Sequence, residues 1–394
     1  MKTAIVPAVA AACAAGFGLS LLGQTAVPPP FTNDAAFYSG VSGPGKPVKG
    51  AGYGGYRSGR EGVMYSGEET KPGWHPLKPE AFSGSVVRQG LLPSLRPVWD
   101  LHLRDTIVRI GGDGKYYMTG SSGDNIWDRN DGVELWRSDD LKSWRYLGLV
   151  WTFEKDASPW QKVWGKTRDL PVRAVWAPEI HYIGKKYFIT LSFASGAGTA
   201  VLVSQSGKPE GPYVSAFKPD VRATGGIDPT LFQDDGGKVY FTWGRGGTIY
   251  RMKDDFSGFT DEGHRVEIEK PADGSWTRDE VANEGASIFK RDGKYYLTGA
   301  GFYKGRYSSV AAISYRIYGP YKQWHEAVPG GGGGNYFKDK DGQWWCTIFG
   351  NDDQAQWREK PGMVRIDFAE DGRIRVAGNQ PDFVLQQGEP KKQP

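Results

Sequence analysis

The chain has 394 residues, 39% apolar and 24% charged, the balance of a soluble globular protein with room for one large domain or two ordinary ones. Its net charge of +4 is spread without a Lys/Arg block, which argues against a nucleic-acid partner. Gly, at 56 residues, is about twice its usual share, and beside 20 Tyr and 15 Trp it points to many tight turns between short aromatic strands, an all-β chain.

Residues 1–25 read as a secretory signal peptide. Lys2 supplies the positive start, and an apolar run rich in small residues follows from Ala4 to Leu22. Its removal implies a secreted or periplasmic protein, and no later stretch is long and apolar enough to span a bilayer. Cleavage would also take Cys13 and leave Cys346 alone, so no internal disulfide is expected. Cys346 lies in the strand-like run Trp344-Trp345-Cys346-Thr347 and is expected as a buried small hydrophobe. Residues 26–95, with Val27-Pro28-Pro29-Pro30 and Ala51-Gly52-Tyr53-Gly54-Gly55-Tyr56, lack periodicity and read as an extended Gly/Pro-rich arm. Residues 389–394 read as a disordered tail.

Between them, residues 96–388 carry a repeat: a Gly-containing turn followed by an aromatic strand ending in Thr. Its copies are Asp113-Gly114-Lys115-Tyr116-Tyr117-Met118-Thr119, Gly184-Lys185-Lys186-Tyr187-Phe188-Ile189-Thr190, Gly236-Gly237-Lys238-Val239-Tyr240-Phe241-Thr242, Asp292-Gly293-Lys294-Tyr295-Tyr296-Leu297-Thr298 and Asp341-Gly342-Gln343-Trp344-Trp345-Cys346-Thr347. Each reads as a hairpin turn entering a strand. A third strand follows each copy, at Val133–Ser138, Ala200–Ser204, Thr248–Met252, Val310–Ser314 and Met363–Phe368. One small sheet cannot bury both faces alone, but five packed radially can, so the repeat predicts a five-bladed β-propeller.

Counting back from the turn glycines places the acids. Asp105 lies nine residues before Gly114, Asp228 nine before Gly237, Glu284 nine before Gly293, and Gly333 nine before Gly342. In the second copy Pro178 takes the equivalent place, with Glu179 beside it. Such positions start the innermost strand of each blade and gather at one mouth of the central channel, so three acids remote in sequence are expected in one pocket. Two carboxyls flanking a glycosidic bond can protonate the leaving oxygen and activate water, and a third nearby helps keep the acid protonated.

With Arg104-Asp105-Thr106, Val175-Trp176-Ala177-Pro178-Glu179, Gly226-Ile227-Asp228-Pro229, Asn283-Glu284-Gly285 and Phe337-Lys338-Asp339-Lys340-Asp341-Gly342-Gln343-Trp344-Trp345 in order, residues 96–385 resemble glycoside hydrolase family 43, the five-bladed propeller enzymes of plant and algal polysaccharide breakdown. The resemblance implies an arabinofuranosidase, xylosidase or galactosidase type of enzyme acting by inversion. Asp105 would be the general base, Glu284 the general acid, and Asp228 the residue that modulates and orients the acid. Two departures stand out. Thr106 replaces the family's usual Pro, and the fifth blade has Gly330 to Gly334 and then Asn335 in place of a Gly-His pair whose His helps hold a water-rich calcium site. No cofactor or metal is expected, and the five glycines would either let the backbone approach a sugar or form a surface loop.

Further substrate-binding candidates are Trp176, Trp127 in the loop Ser121 to Asp131, Arg306 and His102. Glu179 is expected as a packing residue, and His181, which shows no ligand spacing, as an ordinary structural or surface residue. The expected partner is an oligosaccharide or polysaccharide, with no nucleic acid, no membrane after signal removal, and a monomeric chain. The competing reading is a carbohydrate-binding propeller without catalysis.

Overall fold

The computed structural model describes residues 64–66, 85–99, 103–122, 130–167, 170–218, 221–351, 355–356 and 360–386. The signal-peptide expectation and the 389–394 tail lie outside them, as does most of the 26–95 arm.

Five antiparallel sheets follow one another along the chain. Residues Met64–Ser66 form β1. Blade one comprises β2 (Arg104–Ile110), β3 (Tyr116–Ser121), β4 (Gly132–Ser138) and β5 (Ser143–Thr152), and β1 pairs with β5 as its fifth, outermost strand. A small hairpin, β6 (Gly165–Thr167) and β7 (Leu170–Val172), precedes blade two: β8 (Val175–Ile183), β9 (Lys186–Phe193), β10 (Gly198–Ser204) and β11 (Tyr213–Ser215). Blade three holds β12 (Thr230–Gln233), β13 (Val239–Thr242), β14 (Thr248–Arg251) and β15 (His264–Arg265). Blade four holds β16 (Glu284–Arg291), β17 (Lys294–Tyr303), β18 (Arg306–Ser314) and β19 (Lys322–Val328). Blade five holds β20 (Tyr336–Lys338), β21 (Trp344–Phe349), β22 (Pro361–Phe368) and β23 (Ile374–Val376). The chain is therefore a five-bladed β-propeller, with each repeated hairpin forming the first two strands of a blade.

The aromatic pairs of the repeat explain why the sheets pack into a ring. Successive side chains on a strand point to opposite faces. Tyr116 packs into a core shared with Phe289, Tyr336 and Trp345 of blades four and five, whereas Tyr117 joins Ile180, Ile189 and Leu191 of blade two. Further apolar layers join blades two and three around Phe188 and Phe241, and blades three and four around Ile249 and Leu297. Trp99, Trp136, Trp144, Trp151 and Trp345 are each at most 1% exposed. Truncating one such Trp to Ala would cost about 3–5 kcal/mol.

Polar stitches close the ring. The Asn335 side chain accepts from Val108 N–H at 3.0 Å and donates to Val108 C=O at 3.0 Å, joining blade five to blade one. The two ends of the domain also meet, with Leu95 bridged to Leu385 and Arg96 N–H donating to Val384 C=O at 3.0 Å.

Candidate active site

The first strand of every blade carries the same irregularity. Arg104 pairs with Ser121 and Ile107 with Thr119, so three steps on β2 oppose two on β3. The same two-against-one count recurs at Trp176–Glu179, Glu284–Ser287, Ile227–Thr230 and Gly332–Asn335. This is a β-bulge, which re-aims side chains at a strand end. Its middle residue is left-handed in all five blades: Asp105 (φ 50°), Ala177 (φ 44°), Asp228 (φ 56°), Gly285 (φ 65°) and Gly333 (φ 75°). Asp105 and Asp228 carry a side chain in that conformation at a cost of order 1–3 kcal/mol, strain of the kind that collects at functional sites.

The bulge corrects the expectation that the three acids share one blade position. From the bulge to the last paired residue of the strand the chain runs six residues in each blade: Asp105 to Gly111, Ala177 to Ile183, Asp228 to Asp234, Gly285 to Arg291, and Gly333 to Asp339. The hairpin loops differ, with three residues at Gly112–Gly114, Asp235–Gly237 and Lys340–Gly342 but two at Gly184–Lys185 and Asp292–Gly293. Counting from the turn glycine therefore slips by one in blade four. Asp105 and Asp228 are true equivalents, while Glu284 precedes the bulge and matches Arg104, Trp176, Ile227 and Gly332. In blade two the equivalent of Asp105 is Ala177, not Pro178.

The acids nevertheless meet at one mouth of the channel. Gly285 N–H, adjacent to Glu284, donates to Asp228 Oδ2 at 3.0 Å, so blade three directly holds the acid-bearing bulge of blade four. Ser121 Oγ donates to Asp105 Oδ2 at 2.6 Å and accepts Ala177 N–H at 2.8 Å, tying blade one to blade two. Tyr307 on β18 donates its hydroxyl to Glu284 Oε1 at 2.6 Å.

Burial is the chief force on these carboxyls, and like charge adds to it. Burial raises Asp105 above its usual 3.8, against the pull of Arg104 and the Ser121 hydrogen bond, with Glu284 pushing it further up. Asp228 is pushed well above 3.8, first by burial, then by Glu284 and Asp105. Two adjacent like charges resist joint ionisation, so the cluster retains a proton that an exposed group would have lost.

Arg104, a buried side chain, sits 4.5 Å over the Phe349 ring and donates to Asn351 Oδ1 at 2.8 Å. Trp176 is half-buried at the equivalent point of blade two, and its carbonyl accepts from Ser192 Oγ at 3.1 Å. Trp243 lies beside the Asp228 segment, where a Cβ at Gly226 would overlap its ring.

Arg306 does not present its charge to the cleft. Its guanidinium forms a two-pronged pair with Glu326, 2.8 Å from Nε to Oε1 and 2.5 Å from Nη2 to Oε2, with both side chains 12% exposed. Its neighbour Tyr307, on the opposite face of β18, is the residue that reaches the acid, and strand alternation was the signal that could have found it. His102 and Trp127 lie outside the described residues.

The glycines of blade five are packed into the fold and do not form a free surface loop. A Cβ at Gly332 would strike the Tyr307 ring, one at Gly333 would overlap the Phe349 ring, and one at Gly334 would overlap the Thr347 carbonyl. Gly332 thereby makes room for the tyrosine that holds Glu284. The residues present do not fit the family's calcium site. No side chain fits at the Gly333 axial position, and Asn335, at the following inner position, is committed to Val108.

Below the mouth, Arg109 bridges blades. Nη1 donates to Tyr336 C=O of blade five at 3.2 Å, and Nη2 lies 3.6 Å from Glu179 Oε2 of blade two. Glu179 Oε2 also accepts from Thr230 Oγ1 of blade three at 2.7 Å and lies 3.4 Å from His181 Nε2. Burial pushes Glu179 up to about 7, against Arg109, while burial and Arg109 hold His181 well below its usual value and therefore neutral. Glu179 is thus more than the packing residue expected.

Comparisons with known proteins agree with this architecture. The pattern described as Glycosyl hydrolases family 43 matches residues 94–374. Xylan 1,3-beta-xylosidase of a Vibrio species is 26% identical over 272 residues, covering 61% of this chain and 46% of that protein. Xylosidase/arabinosidase of Butyrivibrio fibrisolvens is 30% identical over 132 residues, covering 32% of this chain and 25% of that protein. The chain thus spans less than half the length of these curated relatives. A solved beta-xylosidase/alpha-arabinofuranosidase from a compost microbial metagenome, in complex with xylotriose in a calcium-free form, has a TM-score of 0.56 at 19% identity, over 72% of this chain and 97% of that one.

Proposed function

The chain belongs to glycosyl hydrolases family 43, and we propose that it hydrolyses O-glycosidic bonds of plant or algal polysaccharide or oligosaccharide with inversion at the anomeric carbon. The observation that carries this reading is the Asp228–Gly285 hydrogen bond, which ties the carboxylate of one blade to the acid-bearing bulge of the next while Asp105 stands at the equivalent bulge of blade one.

Asp105 acts as general base. Ser121 engages its Oδ2, and Oδ1 has no hydrogen-bond partner among the described residues, so it can take a proton from water. That water attacks the anomeric carbon as Glu284 delivers its proton to the departing glycosidic oxygen. Asp228 fixes the backbone beside Glu284 by accepting the Gly285 N–H. Arg104, near Asp105, favours the ionised base. Trp176 and Trp243 offer aromatic faces beside the carboxylates for a sugar ring.

The names of the relatives make xylosides and arabinofuranosides the first substrates to try. The signal-like start supports export, and the working unit is a monomer. A panel of aryl glycosides, xylo- and arabino-oligosaccharides and algal glycans tests the reading. Turnover of at least one, lost in Glu284→Gln, supports it; tight glycan binding without any product would return the non-catalytic alternative.

A further inference from the structure

Arg109 is a half-buried cation on the inner strand of blade one that none of the three catalytic roles uses. The two groups it reaches lie on either side of its own blade, Tyr336 C=O on blade five and Glu179 on blade two, so its guanidinium lies across the lumen. Glu179 extends the link to Thr230 on blade three. Four of the five blades therefore meet on one ion pair just below the carboxylates. Glu179 senses the charge of Asp105, and Asp228 senses that of Glu179, so the pair and the mouth form one electrostatic unit. Burial lowers the Arg109 pKa from 12.5 and Glu179 pulls it back up, and a guanidinium keeps its charge at neutral pH. The calcium position of the family has no place for its histidine here, and the neutral His181 adds no charge.

We propose that Arg109 is a second fixed cation of this channel, distinct from Arg104 at the mouth, a positioning residue that supplies from within the chain positive charge beneath Asp105 and Asp228, with Glu179 and Tyr336 as its anchors. The catalytic roles of those carboxylates are taken from the proposed function; the anchoring of Arg109 is not. A guanidinium held by two blades needs no metal to replace it, and a lysine in its place could keep the charge but not both anchors.

The test uses the full chain and combines thermal melting, which needs no substrate, with kcat and KM on whichever glycoside is turned over. Wild-type melting and turnover are expected to be the same in chelator and in excess calcium. Arg109→Met should lower the melting temperature by several degrees, because Glu179 loses its partner, and should lower kcat roughly tenfold or more with little change in KM. Adding Glu179→Gln to Arg109→Met should restore the melting temperature but not kcat, and Glu179→Gln alone, which keeps the cation, should hold kcat within about threefold of wild type. Arg109→Lys should recover part of kcat. A wild type that melts lower in chelator and recovers with calcium would overturn the proposal, and so would a double variant whose kcat returns together with its stability. If Arg109→Met does not fold, Arg109→Lys and Glu179→Gln still decide: equal loss of kcat in both marks a structural ion pair only. Absence of turnover on every glycan would sink the proposed function and leave the melting and chelator results to judge the cation.

Discussion

The Tyr307 hydroxyl donates to Glu284 Oε1 across 2.6 Å. Tyr307 lies on β18 and Glu284 opens β16, and the ring fits because Gly332 has no side chain to fill its place. Removing the hydroxyl in Tyr307→Phe should keep the ring packed against Phe349 and leave the melting temperature nearly unchanged. Loss of a hydrogen bond to the acid should lower kcat/KM by about tenfold or somewhat more, roughly 1.5–2 kcal/mol. Unchanged kcat/KM would remove Tyr307 from the site.

The two working carboxyls should respond differently to the leaving group. Asp105→Asn removes the base and should lower turnover by roughly 10²–10⁴-fold, about equally on all substrates. Glu284→Gln should be as damaging on natural linkages and far milder on aryl glycosides whose phenolate departs without a proton. Rates on a series of aryl glycosides check this, and the opposite pattern would exchange the two roles.

Asp228 links activity to stability through its proton. Burial and two neighbouring carboxylates raise it well above 3.8 in the folded protein. Between 3.8 and that raised value the folded chain therefore binds more protons than the unfolded one, and stability falls as pH rises through the window. Asp228→Asn can still accept Gly285 N–H but cannot ionise. It should melt higher than wild type at neutral pH, with the gain fading as pH drops toward 3.8, while kcat falls on the order of 10²-fold. Melting curves across that pH range test the sign, and a lower melting temperature at neutral pH would contradict it. Because Asp105 is raised as well, the acidic limb of kcat/KM should lie above 3.8.

Arg306→Ala should act on stability and not on substrate. Among the described residues its partner Glu326 would keep only the Ser308 hydroxyl at 2.6 Å, and breaking a pair this buried costs about 3–5 kcal/mol. A large rise in KM with unchanged melting would restore Arg306 as a substrate ligand.

The propeller was legible because its repeat is written in local chemistry: a Gly turn, an aromatic pair that feeds two inter-blade cores, and a Thr buried at the same point of every blade, as at Thr119, Thr190, Thr242, Thr298 and Thr347. The acids were legible from the same frame, but the frame slipped by one at Glu284 because a two-residue turn replaces a three-residue one, a difference that Gly positions do not display. Arg109 and the role of Glu179 depend on which blades become neighbours around the channel, whereas Tyr307 shares blade four with Glu284 and is placed by strand alternation. Residues 109 and 179 carry no shared spacing that would announce their meeting. The Gly330–Gly334 run had the opposite difficulty: its composition suggested openness, whereas Phe349, Tyr307 and Thr347 fill the space where side chains would be.

A base at Asp105 and an acid at Glu284 require a single displacement. Following hydrolysis by proton NMR from the first seconds, before mutarotation, tests it most directly. A single displacement releases the first sugar with the anomeric configuration opposite to that of the substrate; initial release with the substrate's own configuration would rule it out.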